Sequence, residues 1–174
     1  PIALVIYLVR NGIKTIHSWL NHTMTEDQRE TAWRWMLGDV WKELDGRGKP
    51  WKERTDFERM CFRWKCSAIH PRLLRDGLGA ERVQVCRFED LLSDIDLLRQ
   101  LLSMASGRDA GCVPDEVLEQ IQKTDVNRKI QGKRDVETIW GGWTEKEKRY
   151  FLEECGPVME QCDYQLPGGD RQRT

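Results

Sequence analysis

Ile2-Ala3-Leu4-Val5-Ile6-Tyr7-Leu8-Val9 is an unbroken apolar run, rich in β-branched residues. A run of this kind, without polar alternation, reads as a strand buried on both faces, as in parallel sheets. It stops at Arg10. Asn11-Gly12 supplies a turn, and Ile13 to about Leu20 can coil into a helix. A strand buried on both faces needs neighbours on both sides. A chain that opens on one is expected to be the later part of a larger domain.

The rest of the chain reads mostly as helix. A second helix starts near Thr25, where Thr25 and Gln28 have capping-box spacing, and its apolar face is Trp33, Leu37, Val40, Trp41 and Leu44. Asp45 to Pro50 is a polar loop. The next helix runs from about Asp56 towards Ile69 with Phe57, Cys61, Trp64 and Ala68 on one face, is kinked or restarted at Pro71, and ends at Gly77 and Gly79. Val83 to Phe88 reads as a short strand parallel to the first, because a parallel pair requires a long crossover such as this one. Helices follow from about Asp94 to Met104 and from Pro114, the latter with Val117, Leu118 and Ile121 as its face. Thr124 to Gly142 reads as irregular and basic. A last helix starts at Thr144, with Glu147 in capping-box position, Phe151, Cys155, Val158, Met159 and Cys162 on its face, and Pro157 expected to distort it. Pro167 to Thr174 is a polar tail.

Strand, long helical stretch, strand and further helices make part of an open α/β sheet. The expected organisation is one domain over residues 1–166, followed by the tail 167–174.

Composition narrows the function classes. Lys and Arg number 28 and Asp and Glu 29, for a formal net charge of -1. A surface covered in basic charge for general nucleic-acid binding is excluded by that balance, whereas a local anion site is not. No apolar run reaches membrane-spanning length, and nothing at the start reads as a signal peptide. The 6 Cys contain no CxxC, and His17, His22 and His70 complete no finger spacing, so no metal site is read. Six mostly reduced, mostly buried thiols are the expectation.

Open α/β folds bind ligands beyond the carboxyl ends of their strands. Here Arg10, the amides after it and the start of the next helix converge on such a place, which suits a phosphate. Ser18 is eight residues further on, and its hydroxyl reaches the same anion if the helix start folds over the strand end. The stretch Asn127 to Arg134 offers a second anion candidate, with Gly132 permitting close backbone approach and Lys133 and Arg134 supplying charge. A solvated charge run is the alternative there. Trp33, Trp41 and Trp64 read as core. Trp140 and Trp143 flank a Gly-Gly and are expected under the basic stretch, with stacking on a base as the other reading.

The segment Ile6 to Trp19, with its strand ending in Arg10-Asn11 and Ser18 eight residues after the Arg, resembles a signature of the sulfotransferase family. Arg82 to Asp94, a strand closing on Phe88-Glu89-Asp90-Leu91, resembles a later segment of that family. Trp143-Thr144 opening a helix, followed by Cys155, Met159 and Tyr164, is similar to its closing helix. Order and spacing also fit, so the likeness runs from Ile2 to about Tyr164. It departs at Gly12, where Pro is usual, and at Lys14, where an acidic residue is common.

The resemblance implies a P-loop NTPase-like three-layer α/β fold. It implies transfer of a sulfuryl group from 3′-phosphoadenylyl sulfate, as co-substrate and without a metal, to a hydroxyl or amine acceptor. Carbohydrate, lipid, peptide and small-molecule acceptors stay open, with a slight lean towards carbohydrate. Arg10 and Ser18 match the positions that hold the donor's 3′-phosphate, and Lys133 and Arg134 loosely match its lid. The family's phosphate-binding loop, of Pro-x-x-Gly-Thr-Thr type, and its base do not occur here, so the chain alone is expected to lack activity. The compartment stays open between cytoplasm and Golgi lumen. Two rival readings are a catalytically inactive nucleotide-binding module and a helical interaction domain using Trp-rich faces.

Overall fold

In a computed structural model, residues 4–21, 53–123 and 135–168 are described. The expected helix near Thr25, the loop Asp45 to Pro50 and the basic stretch up to Arg134 lie outside them. The elements run β1 (Val5–Val9), α1 (Gly12–Leu20), α2 (Asp56–Leu78), β2 (Val83–Arg87), α3 (Phe88–Ser93), α4 (Ile95–Ser106), a 3-10 turn (Ala110–Cys112), α5 (Asp115–Lys123), α6 (Val136–Gly141) and α7 (Glu145–Gln161). The chain is therefore mixed α/β, mostly helical, with a two-stranded parallel sheet among the described residues. It divides into two compact units: Pro1–Asn11 with Pro71–Arg134, and Gly12–His70 with Asp135–Thr174.

The first unit is built on the strand pair. β1 and β2 are parallel, in a register that sets Val5 against Val83 and Val9 against Arg87. The Val5 N–H extends the ladder by donating to the Arg82 carbonyl at 2.8 Å. Val83 and Val9 are buried, yet Leu8 is 41 % and Val85 38 % exposed. β1 is thus half-covered, where its apolar sequence predicts burial on both faces. Val5, Ile6 and Tyr7 are likewise only partly covered.

α4 starts where Asp94 accepts the Leu97 N–H at 2.9 Å and stops at Gly107, whose φ of 65° is the left-handed conformation that suits glycine. The path from α4 to α5 is held by one side chain. The Arg99 guanidinium donates to the carbonyls of Ala110 at 3.0 Å and Val113 at 2.6 Å, and pairs with Asp115. Of the face predicted for α5, Leu118 is buried, whereas Val117 and Ile121 stay exposed. Gln122 ties α5 to α3 by donating to the Leu91 carbonyl at 3.0 Å.

The second unit is helical. Phe57, Cys61, Trp64 and Ala68 of α2 are buried, as are Phe151, Cys155, Val158 and Met159 of α7, which matches the faces read from the helical period. Ile13 and Ile16 of α1 are fully buried as well. An aromatic cluster joins α2, α6 and α7: Phe57 meets Trp143, just after α6, edge-on at 4.9 Å, and Trp140 of α6 lies 5.8 Å from Phe151. α7 begins with the expected capping box. Thr144 Oγ1 accepts the Glu147 N–H at 3.3 Å and Glu147 Oε2 accepts the Thr144 N–H at 2.8 Å. Thr55 and Glu58 repeat this arrangement ahead of α2.

α2 runs through Pro71 without a restart, although Pro71 removes the N–H that would bond the Ser67 carbonyl, and it ends at Leu78, between the Gly77 and Gly79 expected to stop it. α7 also runs through Pro157. Two boundaries differ from the sequence reading. β2 ends at Arg87, and Phe88, read as the last residue of the strand, opens α3. Within the stretch read as irregular, Val136–Gly141 is helix, opened by Asp135 accepting the Thr138 N–H at 2.6 Å. No helix among the described residues is long and apolar enough to cross a membrane.

Candidate functional site at the carboxyl ends of the strands

The register of the strand pair extends past its last rung. Val9 pairs with Arg87, so the next residues, Arg10-Asn11 and Phe88-Glu89, leave the sheet side by side. Arg10 is exposed, and its guanidinium carbon stands 5.6 Å from the centroid of the Phe88 ring, within cation–π range. Asn11 is buried, and its N–H donates to Glu89 Oε1 at 3.2 Å. Two of the three segments that carry the family resemblance therefore touch, Arg10 against Phe88 and Asn11 against Glu89.

The second arginine of this end is differently employed. Arg87 Nε and Nη2 donate to the two oxygens of Asp90 at 2.7 and 2.6 Å, a forked pair. That pairing holds the Asp90 carboxyl below the usual carboxylate range, first through the hydrogen bond to Arg87 and then through its charge. Burial and the nearby Asp90 charge push the Cys86 thiol up. Burial raises the Tyr7 hydroxyl. The fork keeps Arg87 and Asp90 turned to each other, whereas Arg10 lies against an aromatic ring.

The amide of Asn11 is engaged by a carboxylate, where the sequence reading counts the amides after Arg10 as donors for an anion. What the arrangement offers an anion is thus a guanidinium with its backbone fixed on one side by the sheet and on the other by the Asn11–Glu89 bond. A planar guanidinium so placed is suited to phosphate oxygens.

Ser18 lies in α1, in the second unit, and is half-buried. Lys133 and Arg134 lie outside the described residues. Trp143 is in the aromatic core of the second unit, in contact with Trp140 at 5.5 Å. His17 is held within its own helix, its backbone carbonyl accepting from Asn21 Nδ2 at 2.7 Å. No group of three or more His, Cys, Asp or Glu that could hold a metal occurs among the described residues.

Phe88 and Glu89 are the site residues that sequence reading quotes only as part of a motif. The signal that could have joined them to Arg10 and Asn11 is the equal distance of both pairs from the ends of two parallel strands.

No family model, no curated protein and no solved structure matches this chain.

Proposed function

We propose that the chain carries donor-binding elements of a sulfotransferase with a P-loop NTPase-like, three-layer fold. In this reading Arg10 and Ser18 hold the 3′-phosphate of 3′-phosphoadenylyl sulfate, and Lys133 and Arg134 close over the donor. The reaction served is in-line transfer of the sulfuryl group to a hydroxyl or amine. An acceptor oxygen or nitrogen forms its bond to sulfur as the bond from sulfur to the donor's phosphate oxygen breaks, and cationic groups stabilise the leaving phosphate.

One observation supports the reading above the rest. Two segments that resemble the family separately, and lie far apart in sequence, meet at the carboxyl ends of adjacent parallel strands, where Arg10 lies over the Phe88 ring and Asn11 bonds Glu89. That is the end of an open α/β sheet at which ligands gather. A helical interaction domain has no need of this contact.

Calorimetry with adenosine 3′,5′-bisphosphate and with adenosine 5′-phosphate tests the reading. The chain should bind the bisphosphate and discriminate against the monophosphate by at least about tenfold, the value of one charge-assisted phosphate contact of about 1.4 kcal/mol or more. Equal binding of the two, or binding of neither, contradicts it.

A further inference from the structure

Cys61 of α2 and Cys155 of α7 face each other in the core of the second unit. Both are 0 % exposed. The Cys155 thiol lies 3.5 Å from the Cys61 backbone carbonyl, to which it donates. The two residues are 94 positions apart in sequence. Nothing in the proposed donor site uses either of them. Two buried cysteines in contact through one thiol and the other's backbone, on segments so distant along the chain, are placed for a cross-link that would close a very long loop. Long loops are where a cross-link removes most unfolded-state entropy.

We infer that Cys61 and Cys155 are a disulfide-forming pair, whose state is set while the chain folds. The oxidant is a low-molecular-weight disulfide such as glutathione disulfide. One cysteine, as thiolate, attacks a sulfur of the oxidant and releases one glutathione thiol. The other cysteine, after losing its proton, attacks the mixed disulfide and releases the second. Two cysteine thiols are oxidised, and one external disulfide is reduced to two thiols. Once α2 and α7 have closed, burial and the neighbouring Cys155 thiol push the Cys61 thiol far up, and no oxidant reaches it. A chain folded under oxidising conditions then carries the bond, and one folded under reducing conditions keeps both thiols.

The test is to denature and reduce the chain, then refold it with reduced glutathione alone or with a mixture of reduced and oxidised glutathione. Free thiols are alkylated under denaturing conditions and the peptides are mapped by mass spectrometry. The oxidised preparation should yield the Cys61 and Cys155 peptides joined, lighter by two hydrogens than the two thiol peptides together. Its Tm should be higher by roughly 5–10 °C. Glutathione disulfide added after folding in the reduced state should leave both residues as thiols. Recovery of both residues alkylated after oxidative refolding overturns the pairing, as does pairing of either with Cys66 or Cys162. Oxidation of the folded, reduced chain as fast as that of exposed Cys112 overturns the claim that folding sets the state. Cys155→Ala should abolish the Tm difference. Should that variant fail to fold, the peptide map of the unaltered chain still decides.

Discussion

Trp64 packs its indole directly over Gly12: a Cβ built at Gly12 would stand 2.9 Å from two atoms of the ring. Trp64 is 2 % exposed and cannot swing into solvent without opening the core of its unit. Real Cβ atoms do not approach so closely, so position 12 takes glycine as long as position 64 holds this ring. The departure from the sulfotransferase-like signature, in which Pro is usual at this place, thus has a packing cause. Pro carries the same Cβ. Gly12→Ala should lower unfolding free energy by about 1–3 kcal/mol, the usual cost of overpacking. Trp64→Phe in the Gly12→Ala background should recover part of it. Urea unfolding of the four combinations measures the coupling. Additive effects of the two substitutions would show that the contact does not restrict position 12.

Phe88 supplies the ring on which Arg10 rests. A cation–π contact at an exposed site contributes about 0.5–1 kcal/mol. Phe88→Leu should therefore weaken binding of adenosine 3′,5′-bisphosphate by roughly two- to fivefold. Phe88→Tyr, which keeps the π face, should restore it. A Leu variant that binds like the unaltered chain would separate the ring from the function of Arg10.

Asp90 gives a pH dependence whose sign can be worked out. The fork with Arg87 depresses its carboxyl in the folded chain relative to the unfolded one. The unfolded chain therefore takes up that proton first as pH falls. The contribution is fully present above the ordinary aspartate range and is lost as pH drops through the folded value. Both side chains are 38 % exposed, so solvent screening limits the contribution to about 1 kcal/mol or less. Carboxyl NMR titration should find Asp90 below the ordinary aspartate value, and Arg87→Gln should bring it back up. An Asp90 that titrates normally in the unaltered chain would contradict the fork.

Arg99 holds the turn between α4 and α5 with bonds to the Ala110 and Val113 carbonyls and the Asp115 carboxylate. An ammonium cannot reproduce a fork of that geometry. Arg99→Lys should destabilise the chain by about 1–3 kcal/mol, since hydrogen bonds of a charged group are lost. Amide exchange of Ala110 to Val113 should accelerate with it. Unchanged exchange there would leave Arg99 without a holding role.

Local signals were legible in the sequence wherever one segment suffices to encode them. The apolar run of β1 and its end before Arg10, the buried faces of α2 and α7, and the Thr144–Glu147 cap follow from period and capping chemistry. The errors are also local in origin. Phe88 favours a strand by propensity, yet Glu89 and Asp90 suit a helix's first turn, and α3 begins at Phe88. Basic neighbours hid α6, whose start is set by the single cap Asp135. Strand register and packing between distant segments have no such local signature. For that reason the Arg10–Phe88 and Asn11–Glu89 contacts, the Trp64–Gly12 contact and the Cys61–Cys155 pair emerge only in three dimensions.

The central claim is that Arg10 reads a 3′-phosphate. It is tested most directly by measuring, for Arg10→Ala, the ratio of affinities for adenosine 3′,5′-bisphosphate and adenosine 5′-phosphate, with circular dichroism to show that the fold is kept. The variant should lose most of the preference for the bisphosphate, with its Kd for that ligand rising by about tenfold or more while the Kd for the monophosphate moves little. A folded variant that keeps the full preference would contradict it.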